Sequence, residues 1–220
     1  MPVGPPLSVR VWGDYACFTR PEMKVERVSY PMMTPSAARG VLESIFWKPE
    51  FVWRVKRIVL LKPIKHFALL RNETTEKLAP STVAKWMADQ RHDSFLIDDA
   101  RAQRNTLGLR DVAYQIDAQV RPTGSTDPAA EIKYREQFQR RVNRGQCYAR
   151  PALGCREFAA FFGPPLGSEL PHALTADLGQ MLFDIRYDRK TGRGTPIFFH
   201  ARVESGVLEV PPHLHEEVGR

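Results

Sequence analysis

Cysteine is scarce in this chain of 220 residues, and long apolar runs are missing from it. The three cysteines, Cys17, Cys147 and Cys155, are an odd set without the paired short spacing of a zinc site or a disulfide framework, so a reducing cytoplasm is the fitting compartment. No stretch is long enough to span a bilayer, and the opening Met-Pro-Val-Gly-Pro-Pro lacks the basic and apolar tract of a signal peptide. Internal repeats and low-complexity tracts are also lacking, which sets aside solenoids and disordered tethers. The histidines His66, His92, His172, His200, His213 and His215 are dispersed rather than clustered, and the reading calls for no metal and no cofactor. His66 or His200 could still reach a reactive centre in space.

Apolar residues make up 43% of the chain and charged residues 26%, the balance of a soluble domain with a substantial core. Lysine and arginine number 32 against 25 acidic residues, a formal charge of +7. Such a surplus fits a polyanionic partner, and equally a plain solvated surface.

Leu7, Val9 and Val11 alternate with Ser8, Arg10 and Trp12, the period of a half-buried strand. The connection from Asp14 to Met33 carries Tyr15, Phe18 and Tyr30 among basic residues, and Pro21 and Pro31 keep it irregular. These rings could stack on splayed bases, although packing is the preferred reading for Phe18. Thr34-Pro35 opens a helix over about 35–46, and Phe51 to Leu61 is a second strand. Residues 64–110 form an irregular insertion with a short helix near Ser81 to Met87, and Asp111 to Arg121 is a third strand. A turn over Pro122 to Pro128 leads into a second helix from Ala129 to Arg144, and Arg156 to Phe162 supplies a fourth strand.

The resulting order, strand-helix-strand-strand-helix-strand, is that of an α+β ferredoxin-like or RNA-recognition-motif domain over residues 1–162. Residues 163–220 read as a small C-terminal antiparallel β-sheet, with strands over Met181 to Tyr187 and Ile197 to Val203 and a polar, fraying tail from Pro211.

Several ordered stretches resemble the Cas five-d (Dvulg) proteins of type I-C CRISPR systems. They are Val11-Trp12-Gly13-Asp14-Tyr15-Ala16-Cys17-Phe18-Thr19-Arg20-Pro21-Glu22, Pro35-Ser36-Ala37-Ala38-Arg39-Gly40, Trp47-Lys48-Pro49, Arg71-Asn72-Glu73, Leu153-Gly154-Cys155-Arg156-Glu157-Phe158 and Asp177-Leu178-Gly179-Gln180-Met181-Leu182. The resemblance implies an RNA-recognition-motif domain, cleavage of precursor CRISPR RNA at the base of its repeat stem-loop, and retention of the 5′ handle of the mature crRNA. It also implies docking with the backbone and large subunits of the interference complex by a protein that is a monomer when isolated.

RNA can be cut without metal because its own 2′-OH can attack the phosphorus, leaving the protein to assist proton transfer and steady the phosphorane. The resembling family keeps a lysine-histidine pair in the second helix and a tyrosine before Trp-Lys-Pro. Here Lys133 stands in the lysine position, Tyr134 in the histidine position and Phe46 in the tyrosine position. A lysine suits charge stabilisation and proton donation. A phenol, with a reference pKa of about 10, suits orientation of the 2′-OH better than general-base work. Phe46 cannot move a proton.

Arg135, Arg140, Arg141 and Arg144 extend the basic character of this helix, and Lys48 and Arg39 add to the expected RNA-binding set. Against this, Lys133 and Tyr134 could be a surface pair on a solvated helix. The loop Lys190 to Gly194 could cradle phosphate, with a plain hairpin turn preferred. Two other functions stay open: a catalytically weak subunit that grips the handle, and additional metal-dependent cleavage of DNA, which no carboxylate cluster supports, Asp98-Asp99 being adjacent but in a polar loop.

Overall fold

Alternating burial in the computed structural model makes the first strand, β1 (Leu7–Ala16), with Leu7, Val9 and Val11 fully inside. The structure describes residues 4–23, 25–89, 96–124, 128–188 and 190–219; His92 and the middle of the turn before the second long helix, residues 125–127, lie outside them. After β1 the chain crosses itself through β2 (Arg27–Val28), and Phe18 and Tyr30 of this connection are buried while Tyr15 stays half-exposed against Phe67 and Phe158.

Thr34 starts α1 (Pro35–Ile45), its Oγ1 accepting from the Ala37 N–H at 3.2 Å, with proline in the first turn where an N–H would have no partner. Ala38, Val41, Leu42 and Ile45 form its buried stripe. The chain continues through β3 (Phe51–Leu60), β4 (His66–Thr74), α2 (Pro80–Ala88), β5 (Arg101–Pro122), α3 (Pro128–Arg144), β6 (Phe161–Gly163), β7 (Ala176–Tyr187), β8 (Gly194–Glu204), β9 (Val207–Glu209) and α4 (Leu214–Glu217).

Among the described residues the strands share one sheet, ordered β6-β1-β5-β3-β9-β8-β7, with β2 and β4 paired to β5 beside this path. The pairings are antiparallel except that of β2 with β5. Through Arg57↔Glu209, Ile58↔Leu208 and Val59↔Val207 the C-terminal strands continue the sheet of the N-terminal ones. The outcome is a mixed α/β fold, with α1 against β3 and β7, and α3 against β5, β6 and β1. Trp53, Tyr30, Tyr114, Phe46, Phe51 and Phe138 are the largest fully buried side chains among the described residues.

Three local readings change. The third core strand begins at Arg101, ten residues before the expected start at Asp111. Its first half pairs with β4 in an arm whose faces are largely exposed, so no apolar alternation marks it. Asp111 itself takes φ +55° and interrupts the register with β1, its carboxylate bound by Lys62 and Lys65. The fourth strand shrinks to Phe161–Gly163 because the segment before it turns back on itself: Phe158 N donates to Cys155 O, and Leu153 N to Phe158 O. The tail expected to fray from Pro211 instead carries α4. Leu214 and His215 are buried, and the His215 ring Nε2 lies 2.9 Å from Val55 O on β3.

One carboxylate sits in the middle of the sheet. Asp117 on β5 is buried, accepting from Ser8 Oγ on β1 at 2.6 Å, Gln115 Nε2 at 2.9 Å and Arg57 Nε on β3 at 2.5 Å.

Burial holds the His215 imidazole below its ordinary range, helped by Arg54 and Lys56 and opposed by the Val55 hydrogen bond and Asp184. The unfolded chain therefore binds this proton more readily than the folded one. Stability from His215 is whole above about pH 6.5 and drains as pH falls toward the depressed folded value. Urea midpoints at pH 7.5 and 5.5 should fall further for the wild type than for His215→Gln; equal losses would remove His215 as the cause.

Candidate functional site

Helix α3 is built with two opposed stripes. Glu131, Phe138 and Val142 are buried, and Tyr134 packs against the core beside them. Lys133, Arg140 and Arg144, spaced by seven and four residues, fall within about 40° of one another on the exposed side. They form a basic line about 16 Å long at 1.5 Å per residue. A helix with so polar an outer face is held by its apolar stripe, not by its own propensity.

The inward stripe meets the C-terminal end of α1. The Phe46 ring, 1% exposed, has its centroid 6.4 Å from that of Tyr134, and Phe51 lies 5.0 Å from Tyr134 and 5.3 Å from Phe46. Arg141 closes the corner. Its Nη1 donates to Ile45 O at 2.8 Å, satisfying a carbonyl in the last turn of α1 with a cation at the negative end of the helix, and its guanidinium lies 5.1 Å over the Phe46 ring. The chain leaving α3 then returns to the same place, with Tyr148 N and Ala149 N both donating to Ser44 O.

The expected site residues thus separate. Tyr134, Phe46 and Arg141 gather where α3 meets the end of α1, Tyr134 being half-buried, while Lys133, its neighbour in the chain, is exposed. Lys48 is half-exposed in the following loop, and Arg140 and Arg144 continue the outer line. Arg135 turns toward the N-terminal segment, donating to Pro5 O at 2.6 Å. Arg39 is far less available: Nε and Nη2 donate to Asp184 of β7, each at 2.9 Å, and Nη1 to Glu43. Its side chain is 20% exposed and that of Asp184 7%. His200 pairs with Asp177 across β7 and β8, and His66 lies exposed on β4. Asp98 is taken by Arg101, and among the described residues no group of three or more His, Cys, Asp and Glu side chains is placed to hold a metal ion. Within the loop at 190–194, Lys190 N and Thr191 N turn to Asp188 Oδ1 at 2.9 and 2.7 Å, a self-contained turn.

A cleft of about 490 Å³ adjoins this corner, unforeseen in the sequence. One wall is the polar edge of α1, Ser36, Gly40 and Ser44, residues four apart and so stacked along the helix. The other carries Arg150, Cys155 and Arg156. The spacing of Ser36, Gly40 and Ser44 is the available signal, since three small residues in line leave a shallow face on an otherwise amphipathic helix.

Removing Asp184 takes one of two carboxylates from a largely buried guanidinium and leaves it with Glu43. Asp184→Ala should destabilise the protein by about 3 kcal/mol in urea denaturation, whereas Arg140→Ala should stay within about 0.5 kcal/mol of wild type. Similar stabilities for the two would show that Arg39 does not brace α1.

The comparisons agree on one family. Residues 7–211 match the family model Cas_Cas5d, described as CRISPR-associated protein (Cas_Cas5). A protein of Thermus thermophilus named CRISPR pre-crRNA endoribonuclease Cas5d is 47% identical over 97% of this chain and 95% of its own. One of the same name from Mannheimia succiniciproducens is 42% identical over 97% and 98%. Among solved structures, one described as a CRISPR-associated protein superposes with TM-score 0.66 at 19% identity, covering 93% of this chain and 90% of its own. A functionally uncharacterized protein from Streptococcus mutans reaches 0.65 at 18%, covering 94% and 92%. Likeness at that identity speaks to the fold, while the family match and the two relatives decide membership: the chain belongs to the Cas5d family of CRISPR-associated proteins.

Proposed function

We propose that this protein is an endoribonuclease that cuts precursor CRISPR RNA at the base of the repeat stem-loop, without a metal ion, and keeps the 5′ handle. The observation that carries this reading is the exposed line Lys133, Arg140 and Arg144, headed by a lysine next to Tyr134 at the end of α1. Such a line of cations can follow a phosphate backbone past a reactive position. The activity for which both relatives are named supports it.

In this reading β1, α1, β3, β5, α3 and β6, with strand order β6-β1-β5-β3, are the ferredoxin-like or RNA-recognition-motif unit of residues 1–162. Residues 163–220 extend its sheet through β9. Type I-C backbone and large subunits are the expected protein partners.

The scissile phosphate sits over Lys133. The 2′-OH of the upstream nucleotide gives its proton to water and attacks the phosphorus, the Lys133 ammonium meets the charge growing on the non-bridging oxygens, and the P–O5′ bond breaks as the 5′ oxygen takes a proton from water. The products are a 2′,3′-cyclic phosphate and a 5′-OH. Because the nucleophile belongs to the RNA, no metal-activated water is required. The Tyr134 hydroxyl orients the 2′-OH. Arg140 and Arg144 hold flanking phosphates, whereas Arg39 and Arg141 act by fixing α1.

A buried Phe46, with no hydroxyl to offer, favours a second reading in which the protein grips the handle and cuts slowly. Incubation with a labelled cognate repeat in EDTA separates the two. Cleavage should persist, stop when the upstream 2′-OH is replaced by hydrogen, and fall at least 100-fold in Lys133→Ala, the scale of a lost proton donor or charge. Tight binding without cleavage would establish the second reading. Paired removal of Arg140 and Arg144 should weaken RNA binding and reduce the salt slope by about two. An unchanged slope would take both residues off the phosphates.

A further inference from the structure

The proposed cleavage leaves one part of the molecule unused: the thiols Cys17 and Cys155, inside two of the family-like stretches and both lining the cleft beside α1. They come together because two backbones are pressed into contact. Cys17 N donates to Leu153 O at 3.0 Å, and Gly154, at φ +86°, lies so close that a Cβ there would be 2.0 Å from Cys17 O. Only glycine fits both the angle and the gap. The next residue, Cys155, therefore hangs its side chain beside Cys17, with Sγ 3.6 Å from Cys17 O.

The surroundings of Cys155 are those of an anion. Arg27 Nη1 is 3.5 Å from its Sγ and the Thr19 hydroxyl is 3.8 Å away. Thr19 Oγ1 also lies 3.5 Å from Cys17 Sγ, so it spans the pair. The wider charge set is balanced: Arg27 meets Glu73 and Glu157, and Arg71 meets the same two carboxylates. Arg156 adds a further cation on the cleft wall. By contrast Cys147 is exposed, just beyond α3.

We propose that Cys155 is a modification site, a cleft-facing thiolate that attacks low-molecular-weight disulfides and then passes the bond to Cys17. In the first step Cys155 S⁻ attacks one sulfur of RSSR, forming Cys155–S–S–R and releasing RS⁻. In the second, Cys17 gives its proton to that thiolate and attacks the Cys155 sulfur, forming the Cys17–Cys155 disulfide and releasing a second RS⁻, which takes a proton from water. The protein dithiol is oxidised by two electrons and RSSR is reduced to two thiols.

The protonation states suit this order. The neighbouring Cys17 thiol outweighs burial and, with Thr19 and Arg27 and against Glu157, holds Cys155 down to about 6. Cys17 is driven the other way, by the neighbouring Cys155 and by burial, and so waits as a thiol. Once Cys155 is in a mixed disulfide, its negative charge no longer opposes ionisation of Cys17.

Iodoacetamide labelling of the intact protein from pH 5 to 9, read peptide by peptide in a mass spectrometer, tests the first step. Cys155 should reach half-maximal rate near pH 6, well below a short cysteine peptide labelled in the same mixture as a reference. Coincident profiles would overturn the proposal. Glutathione disulfide tests the second. The wild type should yield a peptide pair joined through Cys17 and Cys155, Cys17→Ser should stop with glutathione on Cys155, and Cys155→Ser should leave Cys17 unmodified. Glutathione confined to Cys147, or a wild-type mixed disulfide that never reaches Cys17, would overturn it.

Discussion

Backbone hydrogen bonding along β5 is the constraint on which the other parts are hung. Its 22 residues pair with β1 and β3 in the second half and with β4 and β2 in the first, so one strand sets the register of the helix-bearing sheet and of the projecting arm together. Register errors in such a strand would turn every inward side chain outward. Asp117 guards against a slip: its carboxylate is buried and finds donors on β1, β3 and β5 itself only in the native pairing. A displaced register would leave it desolvated and unmet, at a cost comparable to breaking a buried ion pair.

From that sheet the two long helices inherit their positions, and the corner between them inherits its chemistry. The apolar stripe of α3 must face β5 and β1, which sends Lys133, Arg140 and Arg144 outward as a consequence of helical geometry. Tyr134 lies between these directions, half in the core against Phe51 and Phe46. The phenol thus has a fixed ring and a polar tip, as an orienting group needs, while Phe46 supplies only the surface against which that ring is fixed.

Much of this is legible in the sequence, for a physical reason that varies along the chain. α1, β3 and α3 emerge within a residue or two, and β1 at its start though it runs on to Ala16, because each buries one face against the same core and so carries a clear period. The arm formed by β4 and the start of β5 reads as irregular, since two exposed faces impose no period, and Asp111 in a left-handed conformation cuts the pattern where the core begins. α4 escapes notice because Leu214 and His215 together are too short a signal to predict packing, although they anchor the C-terminal segment on β3 and β7. In the site, the family likeness singles out Lys133 and Tyr134 and marks Phe46 as a departure. Arg39 looks like an RNA contact because its partner, Asp184, lies 145 residues away. The Cys17–Cys155 contact is equally hidden, being made by a close approach at Gly154 that spacing alone does not encode.

The two clamps on α1 have a joint consequence for recognition. Arg39 ties the middle of the helix to β7, and Arg141 holds its last turn to α3. Held at its middle and its last turn, α1 can neither roll nor slide without breaking one of these contacts, and the cleft wall formed by Ser36, Gly40 and Ser44 has a set width. Adaptation is then left to the guest: a flexible single strand would bear the ordering entropy, and selectivity would come from how cheaply a given strand takes up the required path. The protein would act as a gauge of shape, rejecting a stiff or paired segment with no side chain dedicated to the refusal.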